Sequence, residues 1–484
     1  GVYHGPCHCE NCKRLFKEQY GLDIPDRDDP RSPDYRKYAA FKSACTKAQR
    51  ERLVQTVRSI SPELAINNVD YIRTESATEI GVPQWQYSAS CNARRTAGPL
   101  RLRPADNASV DFMGFRYRDS SVSAGQLALR QWQNLANAGS VSLYIMGHLD
   151  NHKDRTALNA SRAAFAFHRE HEALYRGLQS AAKVLLVTKP IMARSDPEVY
   201  GWVRALTESH IPFDEVKLAE LTPELLHRWD VVILGDVKQC SPQQTAMLDE
   251  YVAQGGIVLA SGNDPALQCL GVESVQAKHT DCMSSVFEIG AAESALFPRS
   301  AAAHYVVPGA CVSEIQFAPD TKTMLHMIPE HPFGPPEMCY YTTVTDVPGL
   351  GITPHGKGKG VYIPWSVGSF YYNEGYDNTL HFLQDVLHEV CALPELAPGL
   401  HPSVELTLSK KANTLAVQLV NGSGVFANSY FKPVPMQDIT LRLPGLAGKT
   451  AFAHNGGSVS CADSGGDLIL TLDKLNAYEI ITVQ

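Results

Sequence analysis

The stretch from Lys183 to Asp264 constrains this chain most. Lys183-Val184-Leu185-Leu186-Val187 is a continuous apolar β run. A helical period follows over Tyr200 to Ser209, then a strand at Phe213 to Val216, a helix near Leu221 to Arg228 and the strand Val231-Val232-Ile233-Leu234. A helix over Ser241 to Gln254 and the strand Ile257-Val258-Leu259 continue the series. Strands without a polar face need cover on both sides, and intervening helices supply it. The alternation therefore predicts a doubly wound α/β sheet. Val361-Tyr362-Ile363 and a helix over Asn378 to His388 are its expected end, while 270–355 reads as irregular and Pro-rich.

The flanks are less regular. Residues 7–34 are polar and carry Cys7-His8-Cys9-Glu10-Asn11-Cys12. A long helix is expected over Tyr35 to Ser59, with Ala40, Phe41, Ala44, Ala48, Leu53, Val54 and Val57 on one stripe. Strands are expected at Leu64 to Ile66, Gln84 to Ser90, Val110 to Tyr117 and Val141 to Gly147, with helices over Ala124 to Ala138 and Ala160 to Ala181. This pattern argues for parallel α/β. After the linker Pro394 to Pro402, Val404-Leu406-Leu408, Leu415-Val417-Leu419, Ile439-Leu441-Leu443 and Leu468-Leu470-Leu472 alternate apolar and polar, as in a small antiparallel sandwich. Domains are thus expected at 1–180, 181–394 and 400–484, within the two to four that 484 residues suggest. A net charge of −8 gives no basic footprint for nucleic acid. No apolar run reaches the roughly 18–20 residues of a membrane helix. Most of the twelve cysteines are scattered singly, which favours a reducing, cytoplasmic setting. Gly1-Val2-Tyr3 reads as the end of a strand, so the chain is expected to be a fragment lacking its front.

The run CHCENCKRLFKEQYG (Cys7 to Gly21) resembles a segment of bacterial barrel glycosidases. It is similar to the glycoside hydrolase family 42 β-galactosidases, and closer to the relatives called hypothetical glycosyl hydrolase 6. SLYIMGHLDNHKDR (Ser142 to Arg155) and FAFHREHEALYRGLQSAAKVLLV (Phe165 to Val187) resemble the last barrel strand and its exit. Lys183 to Asp264 resembles the family's trimerisation domain, and LAVQLVNGSG (Leu415 to Gly424) its C-terminal sandwich. The resemblance implies part of a (β/α)8 barrel, then a flavodoxin- or amidotransferase-like doubly wound domain, then an antiparallel β-sandwich. It also implies hydrolysis of O-glycosidic bonds, a carbohydrate substrate, and homo-oligomers formed through the second domain; from charge and hydropathy, no nucleic-acid or membrane partner is expected. No catalytic cofactor is expected.

Thiolates suit zinc, and a tetrahedral site takes four ligands. The resemblance assigns Cys7, Cys9 and Cys12 to a structural zinc, with Cys45 a distant substitute for the fourth ligand; unmetallated thiols are the alternative.

In a (β/α)8 barrel the chemistry sits at the C-terminal strand ends, and most glycosidases need two carboxyl groups. Asp150, directly after an apolar strand, is the first candidate, followed by Asp119 and Glu75. His4 is a candidate proton-transfer group. Asn68, Arg73, Arg94, Arg116 and His148 are candidates for binding substrate; several guanidinium groups would suit an acidic sugar. The other reading of these groups is rim salt bridges. The strand that the resemblance identifies as the seventh lacks the family's Glu, which favours a rival reading: a non-catalytic carbohydrate-binding or scaffold protein. An amidotransferase-like chemistry is disfavoured, because Ala260-Ser261-Gly262 has no partner His in evident register.

Overall fold

The computed structural model describes residues 5–27, 29, 31–67, 69–101, 105–188, 196–280, 282, 284–309, 311–330, 334–335, 337, 339 and 343–484. The chain divides into two units, 1–71 and 72–484.

The first unit is a helix pair. α1 (Glu10–Tyr20) ends at Gly21, whose φ of 69° supplies the left-handed cap. α2 (Pro33–Ile60) starts with Ser32 accepting the Tyr35 amide and with Pro at its first position. Phe16, Ile24, Tyr38 and Phe41 form the shared core. The strand expected at Leu64 to Ile66 is absent. That segment is a turn closed by Asp70, which takes the Ile66 amide at 2.7 Å and the Arg58 guanidinium at 2.5 Å.

The second unit begins with β1 (Ile72–Ser76), α3 (Ser88–Ala97), β2 (Ala105–Val110), α4 (Ala124–Ala136) and β3 (Leu143–Tyr144). The strands are parallel in the order β1-β2-β3. Two expectations fail here. Gln84 to Ser90 is no strand but the approach to α3, and the strand placed at Val110 to Tyr117 ends at Val110. The expected helix over Ala160 to Ala181 is divided into α5 (Leu158–Glu170) and α6 (Glu172–Tyr175). Its end forms β4 (Gln179–Ser180), which pairs with the C-terminal sandwich.

Next come β5 (Val184–Thr188), α7 (Pro197–Glu208), β6 (Phe213–Lys217), α8 (Pro223–Leu226), β7 (Val231–Gly235), α9 (Pro242–Ala253) and β8 (Ile257–Ser261). The segment read as irregular instead contains β9 (Val272–His279), β10 (Val286–Glu288), β11 (Tyr305–Val306), β12 (Val312–Phe317), β13 (Lys322–Ile328) and β14 (Pro348–His355). β15 (Gly358–Ile363), α10 (Val367–Glu374) and α11 (Asp377–Asp385) follow. The sheet order is β11-β10-β13-β14-β15-β8-β7-β5-β6. Its parallel half, counted along the chain, is 2-1-3-4-5, the flavodoxin order. β10, β11, β13 and β14 extend it as an antiparallel flap, and β9 with β12 forms a separate ribbon. Gly201 is needed where α7 meets α10, because an added Cβ would lie 1.8 Å from the Gly368 carbonyl oxygen.

The C-terminal part contains β16 (Val404–Lys411), β17 (Thr414–Asn421), the small hairpin of β18 (Val425–Phe426) and β19 (Ser429–Tyr430), β20 (Met436–Leu443), β21 (Ala451–Ala453), β22 (Val459–Ser464), β23 (Asp467–Leu475) and β24 (Tyr478–Val483). Sheets β21-β24-β17-β16-β4 and β20-β23-β22 share a core of Val417, Leu419, Leu441, Leu470 and Ile481. This is the expected sandwich, with one strand borrowed from before residue 181.

Candidate active site

The three-stranded sheet has two different faces. Thr74 and Ser76 of β1 bond the Asn107 side-chain oxygen at 3.1 and 3.4 Å. Asn107 in turn donates to Asn134 of α4 at 2.7 Å, and Asn92 of α3 donates to Ser76 at 3.3 Å. Thr74, Ser76, Asn107 and Ser109 therefore face the helices. Side chains alternate along a strand, so Arg73, Glu75, Asp106 and Val110 face the other way. Tyr144, in register with Val110, shares that side. Contacts agree: Arg73 lies 3.9 Å from Asp106 and 5.8 Å above the Tyr144 ring.

Of the four proposed catalytic groups, Glu75 is the one carried by this face. It lies one residue from the end of β1, exposed, and its carboxylate has no partner among the described residues. Asp150 is exposed in a turn beyond β3, and Asp119 is exposed past a short 3-10 turn at Phe115–Tyr117. His4 lies outside the described residues. No observed contact joins Asp150, Asp119 and Glu75.

The binding candidates separate in the same way. Arg73 is on the face. Arg116 and His148 are exposed on loops, and Asn68 lies outside the described residues. Arg94 is a correction: it is on α3, not at a strand end, and it is buried. It reaches Glu215 of β6 at 3.0 Å, Asn137 at 2.9 Å and the Phe213 ring at 4.2 Å. Arg95 binds the other oxygen of Glu215 at 2.6 Å. Arg94 is a joint between the three-stranded sheet's helix layer and the flavodoxin-order sheet, closed to substrate.

One carboxylate was missed as a site candidate. Asp111 immediately follows β2 and is buried. It accepts the Ser121 hydroxyl at 3.1 Å and sits 3.4 Å from the buried His152 ring. Burial pushes its carboxyl up, against the opposing pull of Ser121 and His152. Asp154 completes the knot by accepting the Ser121 amide at 2.9 Å; hydrogen bonds from Thr156 and Ser121 hold it below the usual carboxylate range. The signal was present in the sequence: an acid directly after Ala-Ser-Val. Its alternation parity places it with Asn107 and Ser109, on the helix side, so this knot anchors the loops beyond β2 and β3.

In the first unit, Cys7, Cys9 and Cys12 converge at the start of α1, their sulfurs all within 4.8 Å of one another. Three thiols so placed fit one soft cation. Cys45 is exposed on α2 and is not part of the group. The Cys12 thiol is pushed up to about 12 by burial and its two neighbours, while hydrogen bonds from Cys9 and Cys12 lower Cys7.

At the flavodoxin-order sheet, Ser261 is fully buried. Its hydroxyl donates to Glu198 at 2.6 Å and accepts the Trp202 indole at 2.8 Å. A serine so enclosed is not placed to attack a substrate.

No family model and no curated protein matches the chain. Solved structures do. α-L-Fucosidase isoenzyme 2 from Paenibacillus thiaminolyticus superposes with a TM-score of 0.75 at 17% identity, over 99% of this chain and 75% of that one. The chain has a glycosidase fold. Gan42B, a GH42 β-galactosidase from G. stearothermophilus, gives 0.63 at 13% identity over 99% and 76%. The β-galactosidase from Rahnella sp. R3 gives 0.63 at 14% over 99% and 77%. The matches cover 99% of this glycosidase-like chain, not one common sheet alone. Among the described residues no helix is long and apolar enough to cross a membrane.

Proposed function

We propose that this chain is a glycosidase that hydrolyses the O-glycosidic bond of a terminal sugar on the helix-free face of β1, β2 and β3, which are part of a (β/α)8 barrel. The observation that carries the reading is Glu75: a free carboxylate at the C-terminal end of a parallel strand, turned away from the helices. That is where barrel enzymes keep their reacting groups. Glu75 serves as one of the two carboxyl groups. Arg73, held by Asp106, and Tyr144 line the floor beside it. One exposed guanidinium on that floor can pair with an acidic sugar, but with Arg94 removed the demand for one is weaker. Oligomers form through the flavodoxin-order domain. Cys7, Cys9 and Cys12 hold a zinc ion whose contribution is structural, tying the start of α1 to the segment before it.

The test is a panel of aryl glycosides, including fucosides, galactosides, sialosides and glucuronides, run on the full-length protein. Glu75→Gln should lower kcat by about 10²–10⁴-fold and leave the unfolding midpoint unchanged. Turnover equal to wild type in Glu75→Gln removes it from the mechanism. No turnover of any glycoside favours the binding or scaffold reading, which the isolated positions of Asp150 and Asp119 also support.

A further inference from the structure

The chain leaves β2 through a loop that doubles back on itself. Phe112 and Ser121 form an isolated antiparallel bridge, and the Met113 amide donates to the Ser120 carbonyl oxygen at 3.2 Å. The tip is closed by the Tyr117 amide on the Gly114 carbonyl oxygen at 2.9 Å and by the Ser120 amide on the Tyr117 carbonyl oxygen at 3.1 Å. The base is the knot of Asp111, Ser121 and Asp154. The result is a knuckle over 112–121 that holds its own shape.

Two sets of contacts place it. Phe112 is buried, and its ring meets Tyr144 edge-on at 5.5 Å, the ring over which Arg73 lies. Gly114 has a φ of 102°, and an added Cβ would stand 3.4 Å from the carbonyl oxygen of Thr78, in the exit from β1 just past Glu75. Arg130 ties the two exits together, donating to the Val110 carbonyl oxygen at 3.0 Å and to the Thr78 hydroxyl at 2.9 Å. The knuckle therefore stands over the ends of β1 and β2, beside the face that carries Glu75.

What it displays does not serve the core. Phe115 packs against Phe112 at 5.8 Å yet is 70% exposed, and Tyr117 is 53% exposed. Arg116 and Arg118 alternate with them, exposed and without a partner among the described residues. Rings held open by a fixed backbone lose little freedom when a ligand stacks on them. Rings flanked by hydrogen-bond donors suit a ligand with an apolar face and polar edges. A pyranose ring is such a ligand: its C–H bonds form the face and its hydroxyl groups the edge. A purely apolar ligand would not use the guanidinium groups, and a simple anion would not use the rings.

We propose that the knuckle is the leaving-group subsite, where Phe115 and Tyr117 stack on the sugar ring to which the terminal sugar is linked. The substrate is then a disaccharide or longer rather than the glycoside of a small alcohol, on the reading that its terminal sugar is cleaved at Glu75. With that sugar on the floor of Arg73 and Tyr144, the next ring lies outward, where the knuckle stands. Arg116 and Arg118 donate to its hydroxyl groups. Phe115 and Tyr117 determine specificity and take no part in bond cleavage.

The experiment uses the full-length protein and matched pairs of probes. Fucose, galactose, sialic acid and glucuronic acid are each presented as the methyl glycoside and as the disaccharide with glucose as leaving group. Both leaving groups are alkyl alcohols, so the comparison weighs binding rather than bond reactivity. Released terminal sugar gives kcat/KM, and calorimetry on Glu75→Gln gives affinity. At least one disaccharide should be preferred to its methyl partner, and the double variant Phe115→Ala, Tyr117→Ala should lose about tenfold of that preference. Phe115→Trp should retain it. Unfolding midpoints should match wild type, since both rings are mostly exposed. Unchanged preference in the double variant, equal loss for both members of a pair, or no disaccharide preferred by wild type overturns the subsite. The two readings fail separately. Full turnover in Glu75→Gln removes the carboxylate from the mechanism, while a ring-dependent preference leaves the subsite standing. Turnover lost in Glu75→Gln with indifference to the rings does the reverse.

Discussion

β5 and β7 are buried at every position and built from Val, Leu and Ile, apart from Thr188 and Gly235 at their ends. β1 and β2 are just as much parallel strands, yet they read Ile-Arg-Thr-Glu-Ser and Ala-Asp-Asn-Ala-Ser-Val. The first pair is held by apolar contact with helices on both faces. The second is held on its helix side by a ladder of amides and hydroxyls, with Asn107 and Ser109 fully buried, while its other side carries charge. A sheet that needs only to be stable uses hydrophobic burial, which is non-directional and cheap to encode. A sheet with one charged face and one face of amides and hydroxyls recovers stability through satisfied networks instead.

If that contrast is right, the two sheets should fail differently. Trp202 fills the flavodoxin-order core, fully buried against Ser261. Trp202→Ala should cost about 3–5 kcal/mol in denaturant unfolding, from lost transfer energy and the cavity left behind. Arg94→Met should cost somewhat less, about 2–3 kcal/mol, because Arg95 still holds Glu215 when the first guanidinium is gone. A stable Arg94→Met protein with weakened substrate binding would restore Arg94 to the rim and remove the joint described above. Asn107→Ala should cost about 1–3 kcal/mol, since Ser76, Asn92 and Asn134 each lose a buried partner. A cost equal to that of Trp202→Ala would mean the polar sheet is no weaker per residue than the apolar one.

The same contrast explains what could be read in advance. The run Val184–Thr188 and the alternation after it predict a doubly wound sheet, and the order 2-1-3-4-5 bears that out. The sandwich was legible for the complementary reason: Leu468, Leu470 and Leu472 point in and their neighbours out. β1 was not legible, because neither of its faces is apolar. Apolar Leu64-Ala65-Ile66 attracted the strand assignment eight residues too early, which turned Arg73 and Glu75 from strand residues into loop residues. Trp85, Tyr87 and the short residues after them suggested a strand, but Ser88–Ala97 is a helix whose Ala89, Ala93 and Ala97 pack inward. Trp85 instead joins Tyr200 and Tyr372 in an aromatic cluster, while Trp132 stacks on Tyr478 at 4.9 Å as a core residue. His171 lies on Phe167 and faces His454 of the sandwich.

Loop charges give the smallest mutational effect. Arg116→Met and Asp150→Asn remove exposed groups without partners among the described residues, so each should move stability by no more than about 0.5 kcal/mol. A larger loss would place these side chains in contacts that the loops beyond β2 and β3 do not show.

Those same loops offer a sharper test through pH. Asp111 and Asp154 both bond Ser121, but their carboxyls are shifted in opposite directions. The Asp111 carboxyl lies above its unfolded value. The folded protein therefore holds that proton more tightly, and the associated stability is full below the unfolded pKa and is lost as pH rises through the folded one. The Asp154 carboxyl lies below its unfolded value, so its contribution is present above the unfolded pKa and is lost as pH falls. Unfolding midpoints measured from the acidic range to neutrality should therefore show Asp111→Asn gaining on wild type as pH rises and Asp154→Asn losing ground over the same interval. Parallel slopes for the two aspartate variants would mean that Asp111 is not desolvated, and that the face behind β2 is open to water.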